Sequence, residues 1–169
     1  MQKWMVLAKK ADFYGIGRKF GVDPVIARVI RNRERISEEE IEQYLNGGMN
    51  QIYSFQLMKG MEKALELLLE KIGEKKKIRI IGDYDIDGVC STYILLIGLK
   101  KAGAIVDIDI PDRIKDGYGI SKELIDLAYQ AGTDTIITCD NGISAMEQVA
   151  YAKSLGMTVI VTDHHEIPY

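Results

Sequence analysis

Four short apolar runs, separated from one another by stretches with helical spacing, constrain the carboxyl-terminal half of this chain more than any other feature. The strand-like segments fall at roughly 78–82, 104–110, 134–139 and 157–162, and the helical patterns at about 88–102, 121–131 and 144–155. Such alternation with short connections predicts right-handed βαβ crossovers, and so an α/β fold: a parallel sheet with flanking helices. Every strand of such a sheet ends on the same side, and open α/β sheets bind ligands in the crevice beyond those ends.

Three of the four runs end in acidic or imidazole groups. Asp83-Tyr84-Asp85-Ile86-Asp87-Gly88 follows the first, Asp140-Asn141-Gly142 the third, and Asp163-His164-His165 the fourth. The parallel arrangement gathers them at one edge. Five carboxylates and two imidazoles crowded there repel as anions and raise one another's pKa unless cations neutralise them, which points to a divalent metal pair. Charge along the chain agrees. Residues 1–77 carry 15 Lys and Arg against 11 Asp and Glu, whereas residues 78–169 carry 7 against 14. An acidic catalytic half beside a mildly basic half fits an anionic substrate that needs metals as counter-charge.

The chain divides near Lys75-Lys76-Lys77 into an amino-terminal helical segment, residues 1–77, packed as a cap on the core, and an α/β subdomain, residues 78–169. The cap contains helical patterns at roughly Pro24 to Arg31, Ser37 to Asn46 and Phe55 to Ile72; Ser37 and Glu40 form a capping box, and Gly47-Gly48 ends the second helix. In the third, Leu57, Met61, Ala64, Leu65, Leu68, Leu69 and Ile72 share one face, a stripe suited to the sheet. Arg28, Arg31, Arg33 and Arg35 are solvated or touch DNA. The densest apolar stretch, Tyr93 to Leu99, is too short to span a bilayer, so no membrane association and a cytoplasmic location are expected. Cys90 and Cys139 lie in apolar surroundings without CxxC spacing and are expected to be buried free thiols.

Two known patterns overlap the first acidic run. An EF-hand loop starting at Asp83 needs a bidentate Glu at its twelfth position, where Ile94 stands, and a helix rather than a strand before it. Asp85-Ile86-Asp87-Gly88-Val89 resembles the nucleophile motif of haloacid-dehalogenase phosphatases. That family also requires a late Lys and a closing acidic pair, neither evident here, and it leaves the second and third motifs unexplained.

Taken in order, Gly82 to Gly88, then Cys139-Asp140-Asn141-Gly142-Ile143-Ser144, then Thr162-Asp163-His164-His165-Glu166 resemble motifs I, II and III of the DHH phosphoesterase family. Ile110-Pro111-Asp112-Arg113 followed by Asp116-Gly117-Tyr118-Gly119, together with Arg31-Asn32-Arg33, is similar to its RecJ branch, the single-stranded-DNA-specific 5′-exonucleases. The resemblance implies that Asp85, Asp87, Asp140 and His164 are metal ligands, with Asp83 in or beside that set and Asp140 bridging two ions. It implies Mn²⁺ as cofactor, with Mg²⁺ as the second choice, since imidazole beside carboxylates favours Mn²⁺. His165 and Asp163 become the catalytic pair, His165 donating toward the phosphoryl oxygens and Asp163 orienting an imidazole. Arg113 is expected on a phosphate, Tyr118 on a base or sugar, and Asn141, Gly142 and Ser144 near a phosphate, Ser144 also as a helix N-cap.

By the same resemblance, single-stranded DNA is the substrate, in recombination and repair, and a single-strand-binding protein or a helicase is a possible partner. The polarity of degradation rests on the resemblance alone. The family continues beyond motif III into a motif IV carboxylate and a second subdomain, so the chain reads as an amino-terminal fragment with weak or no activity by itself. Two alternatives belong to other classes: a DHH enzyme on small phosphates such as oligoribonucleotides or cyclic dinucleotides, and a non-catalytic DHH binding module. Small-phosphate branches usually place a histidine where Ile81 stands, and binding modules typically lose ligand residues that are all present here through motif III.

Overall fold

The computed structural model describes residues 3, 5, 10–114 and 117–167. They form two compact units, Met1–Met58 and Lys59–Tyr169. The division therefore falls inside the expected third helical pattern, Phe55 to Ile72, rather than at the lysine run.

In the first unit, α1 (Phe13–Phe20), α2 (Pro24–Asn32) and α3 (Glu38–Asn46) bury Ala27, Ile30 and Ile41. Each helix starts on a side-chain cap. The Asp12 carboxylate accepts from Gly15 N, Asp23 from Val25 N ahead of Pro24, and Ser37 and Glu40 form the expected capping box. The guanidinium of Arg28 lies over the Phe13 ring at 4.9 Å, while Arg33 and Arg35 are exposed. The helix expected from Phe55 is interrupted. A short 3₁₀ turn spans Phe55–Leu57, Gly60 adopts φ 78°, and α4 runs only from Met61 to Gly73.

The second unit adds β1 (Lys77–Ile81), α5 (Ile86–Lys101), β2 (Ile105–Asp109), α6 (Lys122–Gln130), β3 (Thr135–Cys139), α7 (Met146–Ser154) and β4 (Thr158–Thr162) to α4. All strands are parallel, in the order β2-β1-β3-β4. The α/β fold expected from the alternation is thus the one formed. Both faces of β3 are covered, which explains its near-continuous apolar run, whereas β2 at the sheet edge leaves Ile105 and Ile108 exposed. Ile78, Ile80, Ile137 and Ile160 pack with Leu95, Leu96 and Leu99 of α5 and with Ala64, Leu67, Leu68 and Ile72 of α4. Ile81 and Ile136 pack on the other face with Leu124, Ile125 and Ala128 of α6 and Ala152 of α7.

Cys139 is buried, but Cys90 is exposed, against expectation. Helix α5 is apolar nearly all round, and its inward face is set by Gly88, Thr92 and Leu99, leaving Cys90 beside the exposed Val89, Tyr93 and Ile94. No helix among the described residues is long and apolar enough to cross a membrane.

Candidate metal centre

The chain leaves β1 for β2 on one side and then returns to β3 on the other. Strands β1 and β3 are therefore neighbours across the point where the order reverses, the usual ligand crevice of such sheets. Motif I leaves β1 at this seam and motif II leaves β3. Asp83, directly after the Gly82 that follows β1, is only 2% exposed, and its Oδ1 has no hydrogen-bond partner. Asp85 is the N-cap of α5, its Oδ1 accepting from Asp87 N at 2.9 Å and Gly88 N at 3.0 Å. This motif turn packs tightly on the helix: a Cβ on Gly88 would stand 2.4 Å from the Asp83 carbonyl oxygen.

Asp140 begins the motif II turn with φ 63°, a left-handed conformation that costs a non-glycine residue of order 1–3 kcal/mol and that Asp tolerates better than most. Its surroundings hold it there. Asp140 N donates to Thr162 O at 3.0 Å, and the Tyr118 hydroxyl donates to Asp140 O at 3.2 Å. The next residue fixes the seam itself. Asn141 is fully buried; its amide donates to Ile81 O and Cys139 O at 3.0 and 2.9 Å, and its Oδ1 accepts from Ile120 N at 3.2 Å. Expected near a phosphate, Asn141 is instead a clamp between the two strand ends, with both amide donors committed to protein. Gly142 is buried too: at φ 106°, any Cβ would meet Thr138 Oγ1 at 2.7 Å. Ser144 is exposed and not an N-cap, because α7 starts at Met146, two residues past the expected start, with Ala145 at the cap position and no side-chain bond.

Motif III closes the site. Asp163 Oδ2 accepts from Ile143 N at 2.9 Å, while Oδ1 accepts from His165 N at 3.0 Å and faces His165 Nδ1 at 2.7 Å. Burial pushes the Asp163 carboxyl up, but the bonds from Ile143 and His165 outweigh it and leave it below the usual range. The same contact with Asp163 holds His165 above the ordinary imidazole value, against a smaller opposing effect of desolvation. With Nδ1 on Asp163, His165 keeps Nε2 for other chemistry. His164 is exposed, and its Nε2 lies 2.9 Å from Asp140 Oδ1.

Two sets of potential ligand atoms result, each mutually within 4.8 Å: Asp83 with Asp85 and Asp140, and Asp140 with His164 and His165. Asp140 belongs to both. Its carboxyl is pushed above the usual range by burial and by the Asp85 charge, which the neighbouring imidazoles only partly offset. Asp140 Oδ1 sits close to His164 Nε2 yet has no aligned donor, and Asp83 Oδ1 is likewise orphaned. Buried carboxylate oxygens without partners are rare and costly, and a shared cation satisfies them. Carboxylates with imidazole suit Mn²⁺ or another hard-to-borderline divalent ion. Asp87 lies in the exposed first turn of α5 and joins neither set, although its charge also acts on Asp140.

Arg113 and Tyr118 occupy the connection after β2, where Gly117 and Gly119 both take positive φ and frame Tyr118 in a turn. Asp116 of the same motif lies outside the described residues. Sequence reasoning overlooked Tyr84. Its ring lies under the Arg113 guanidinium at 5.3 Å and edge-on to Tyr118 at 6.4 Å, and Tyr118 is in turn edge-on to His165 at 6.2 Å. Its position between a buried and a capping aspartate was the available signal: alternate residues of an extended stretch point apart.

A parallel α/β sheet whose switch point gathers carboxylates and imidazoles able to hold a divalent ion is the class of protein that fold and site define. Comparison with known proteins makes this specific. Residues 77–169 match the DHH family, N-terminal domain, and the chain belongs to that family. It is 38% identical over 143 residues to the single-stranded-DNA-specific exonuclease RecJ of Escherichia coli (strain K12), covering 84% of this chain and 24% of that protein. The structure is similar to a crystal structure of exonuclease RecJ bound to manganese, at 36% identity and TM-score 0.64 over 70% of this chain and 30% of the other. It is also similar to RecJ in complex with Mn²⁺ from Thermus thermophilus, at 28% identity and TM-score 0.60 over 98% and 23%. RecJ from that organism has a solved complex with Mg²⁺ as well. The chain spans between 20% and 30% of the length of these proteins.

Proposed function

We propose that this chain carries the metal-binding part of a cytoplasmic, single-stranded-DNA-specific exonuclease that hydrolyses phosphodiesters from the 5′ end. The observation that carries the reading is Asp140, common to both ligand sets and orphaned at Oδ1. Asp83, Asp85, Asp140 and His164 would hold Mn²⁺, with Mg²⁺ as an alternative and Asp87 as a further ligand beside them. Bound divalent ions supply a nucleophile from water at neutral pH and charge stabilisation at the phosphoryl group. The protein's own residues do the rest. Asp163 fixes the ring and tautomer of His165 through its Nδ1, leaving Nε2 for the phosphoryl oxygens. Arg113 meets a backbone phosphate and Tyr118 stacks on a base or sugar.

The test is Mn²⁺ calorimetry at neutral pH on the wild-type chain and on Asp140→Ala, with cleavage of 5′-labelled single-stranded DNA followed in parallel. Binding that disappears in the variant is expected, with weak cleavage by the wild type. A folded wild-type chain that takes up no Mn²⁺ at millimolar concentration overturns the reading.

A further inference from the structure

Arg113 and Tyr118 both stand on the exposed β2–α6 connection, whereas Tyr84 stands on the β1–α5 turn. That turn is held on three sides: by buried Asp83 before Tyr84, by the Asp85 cap after it, and by the close approach of Gly88 to the Asp83 carbonyl. Tyr84 is thus the firm member of the series Arg113–Tyr84–Tyr118–His165. An aromatic face also holds a guanidinium in a particular way. It attracts the cation through the ring quadrupole and uses none of its five N–H donors, so charge and donors remain available to an anion. A carboxylate in the same place would neutralise the group it positioned.

We propose that Tyr84 is a positioning residue that sets the Arg113 guanidinium for contact with a phosphate of the substrate strand. This rests on the reading of the site as one for single-stranded DNA. Tyr84 does not itself touch the phosphate; it fixes where Arg113 waits and, through the edge contact with Tyr118, ties the β2–α6 connection to the metal centre.

The test measures anisotropy of a 3′-fluorescein oligothymidylate against salt concentration, with Ca²⁺ in place of Mn²⁺ to hold cleavage back. Wild type is compared with Arg113→Ala, Tyr84→Leu, Tyr84→Phe and the double variant Tyr84→Leu/Arg113→Ala. Tyr84→Leu is expected to weaken binding about fivefold and to flatten the slope of log K against log salt by ~0.7, one phosphate contact on a single strand. Arg113→Ala should do the same, the double variant no more than either, and Tyr84→Phe neither. Should Tyr84→Leu not fold, Tyr84→Met makes the same comparison. Additive losses, or a Tyr84→Leu slope equal to wild type, overturn the proposal while leaving the nuclease reading intact. Absence of DNA binding by the wild type overturns both.

Discussion

At the amino-terminal edge of the sheet, Lys71 meets Asp134 at 3.1 Å, and Lys77 meets Asp107 at 3.0 Å while donating to the Ala131 carbonyl. At the carboxyl-terminal edge, Asp83, Asp85 and Asp140 crowd together, and among the described residues the ion-pair partners of Asp140 are imidazoles. The first edge also receives the carboxyl ends of α4, α6 and α7, whose partial negative charge suits the lysines of 75–77. Charge there is balanced by the fold itself. At the other edge the fold accumulates one sign of charge and leaves oxygens orphaned, so the balance must come from outside the chain. The contrast separates charges that hold the structure from charges that await a ligand.

The widest gap between the edges should open with metal. Mn²⁺ at about a hundred times its dissociation constant stabilises the wild type by ~2.7 kcal/mol, a gain that Asp140→Asn removes. Since the Asp140 pKa is raised by folding, its charge opposes the native state, and the same variant should be more stable than wild type without metal. Urea denaturation with and without Mn²⁺ checks both. Lower metal-free stability of the variant would contradict the repulsion inferred here.

Next in size is the clamp at the seam. Asn141→Ala strands Ile81 O, Cys139 O and Ile120 N inside the protein and is expected to cost about 3 kcal/mol with or without metal. A loss under 1 kcal/mol by the same denaturation would show that the strand ends hold without it.

Breaking a pair at the amino-terminal edge should matter less. Lys71→Met is expected to cost roughly 1 kcal/mol, independent of Mn²⁺. Burial raises the Asp134 carboxyl, but bonds from Thr135 and Lys71 leave it lowered, while the bond from Asp134 raises Lys71. The pair therefore contributes fully between the unfolded values of 3.8 and 10.5. Its contribution fades as pH falls through the lowered Asp134 value or rises through the raised Lys71 value. The difference between wild type and variant should close at both extremes. Smallest of all, Asp163→Asn should bring the NMR titration of His165 down toward an ordinary imidazole, and an unmoved midpoint would remove Asp163 as its cause.

Much of this was legible in the residues. The four strands lie within one residue of their expected ends, because apolar runs bounded by glycine and acid mark buried parallel strands clearly. The gathering of Asp83, Asp85, Asp140 and His164 was legible because carboxylates and imidazoles rarely end apolar runs unless something needs them there. Cys90 was misplaced since a helix apolar on every side gives periodicity nothing to read. Asn141 looked like a ligand contact because its two backbone acceptors, Ile81 O and Cys139 O, have no signature in side chains. Helix α1 went unseen: two glycines within FYGIGRKF lower its propensity, and Asp12 and Gly21 at its ends carried the signal instead.

The strand order has a consequence for how the chain assembles. Pairing β1 with β2 joins Lys77 to Ile105, whereas pairing β1 with β3 joins Ile78 to Thr135 and closes a loop about twice as long. A doubled loop costs ~0.6 kcal/mol more to close, which favours the shorter pairing roughly threefold at the outset. Pulse-labelled hydrogen exchange should accordingly protect Ile105–Asp109 before Thr135–Cys139, and the reverse order would exclude this sequence of events. Since the acidic centre exists only where β1 and β3 meet, a nascent chain that follows this order defers its own electrostatic opposition until the local half of the sheet is already in place.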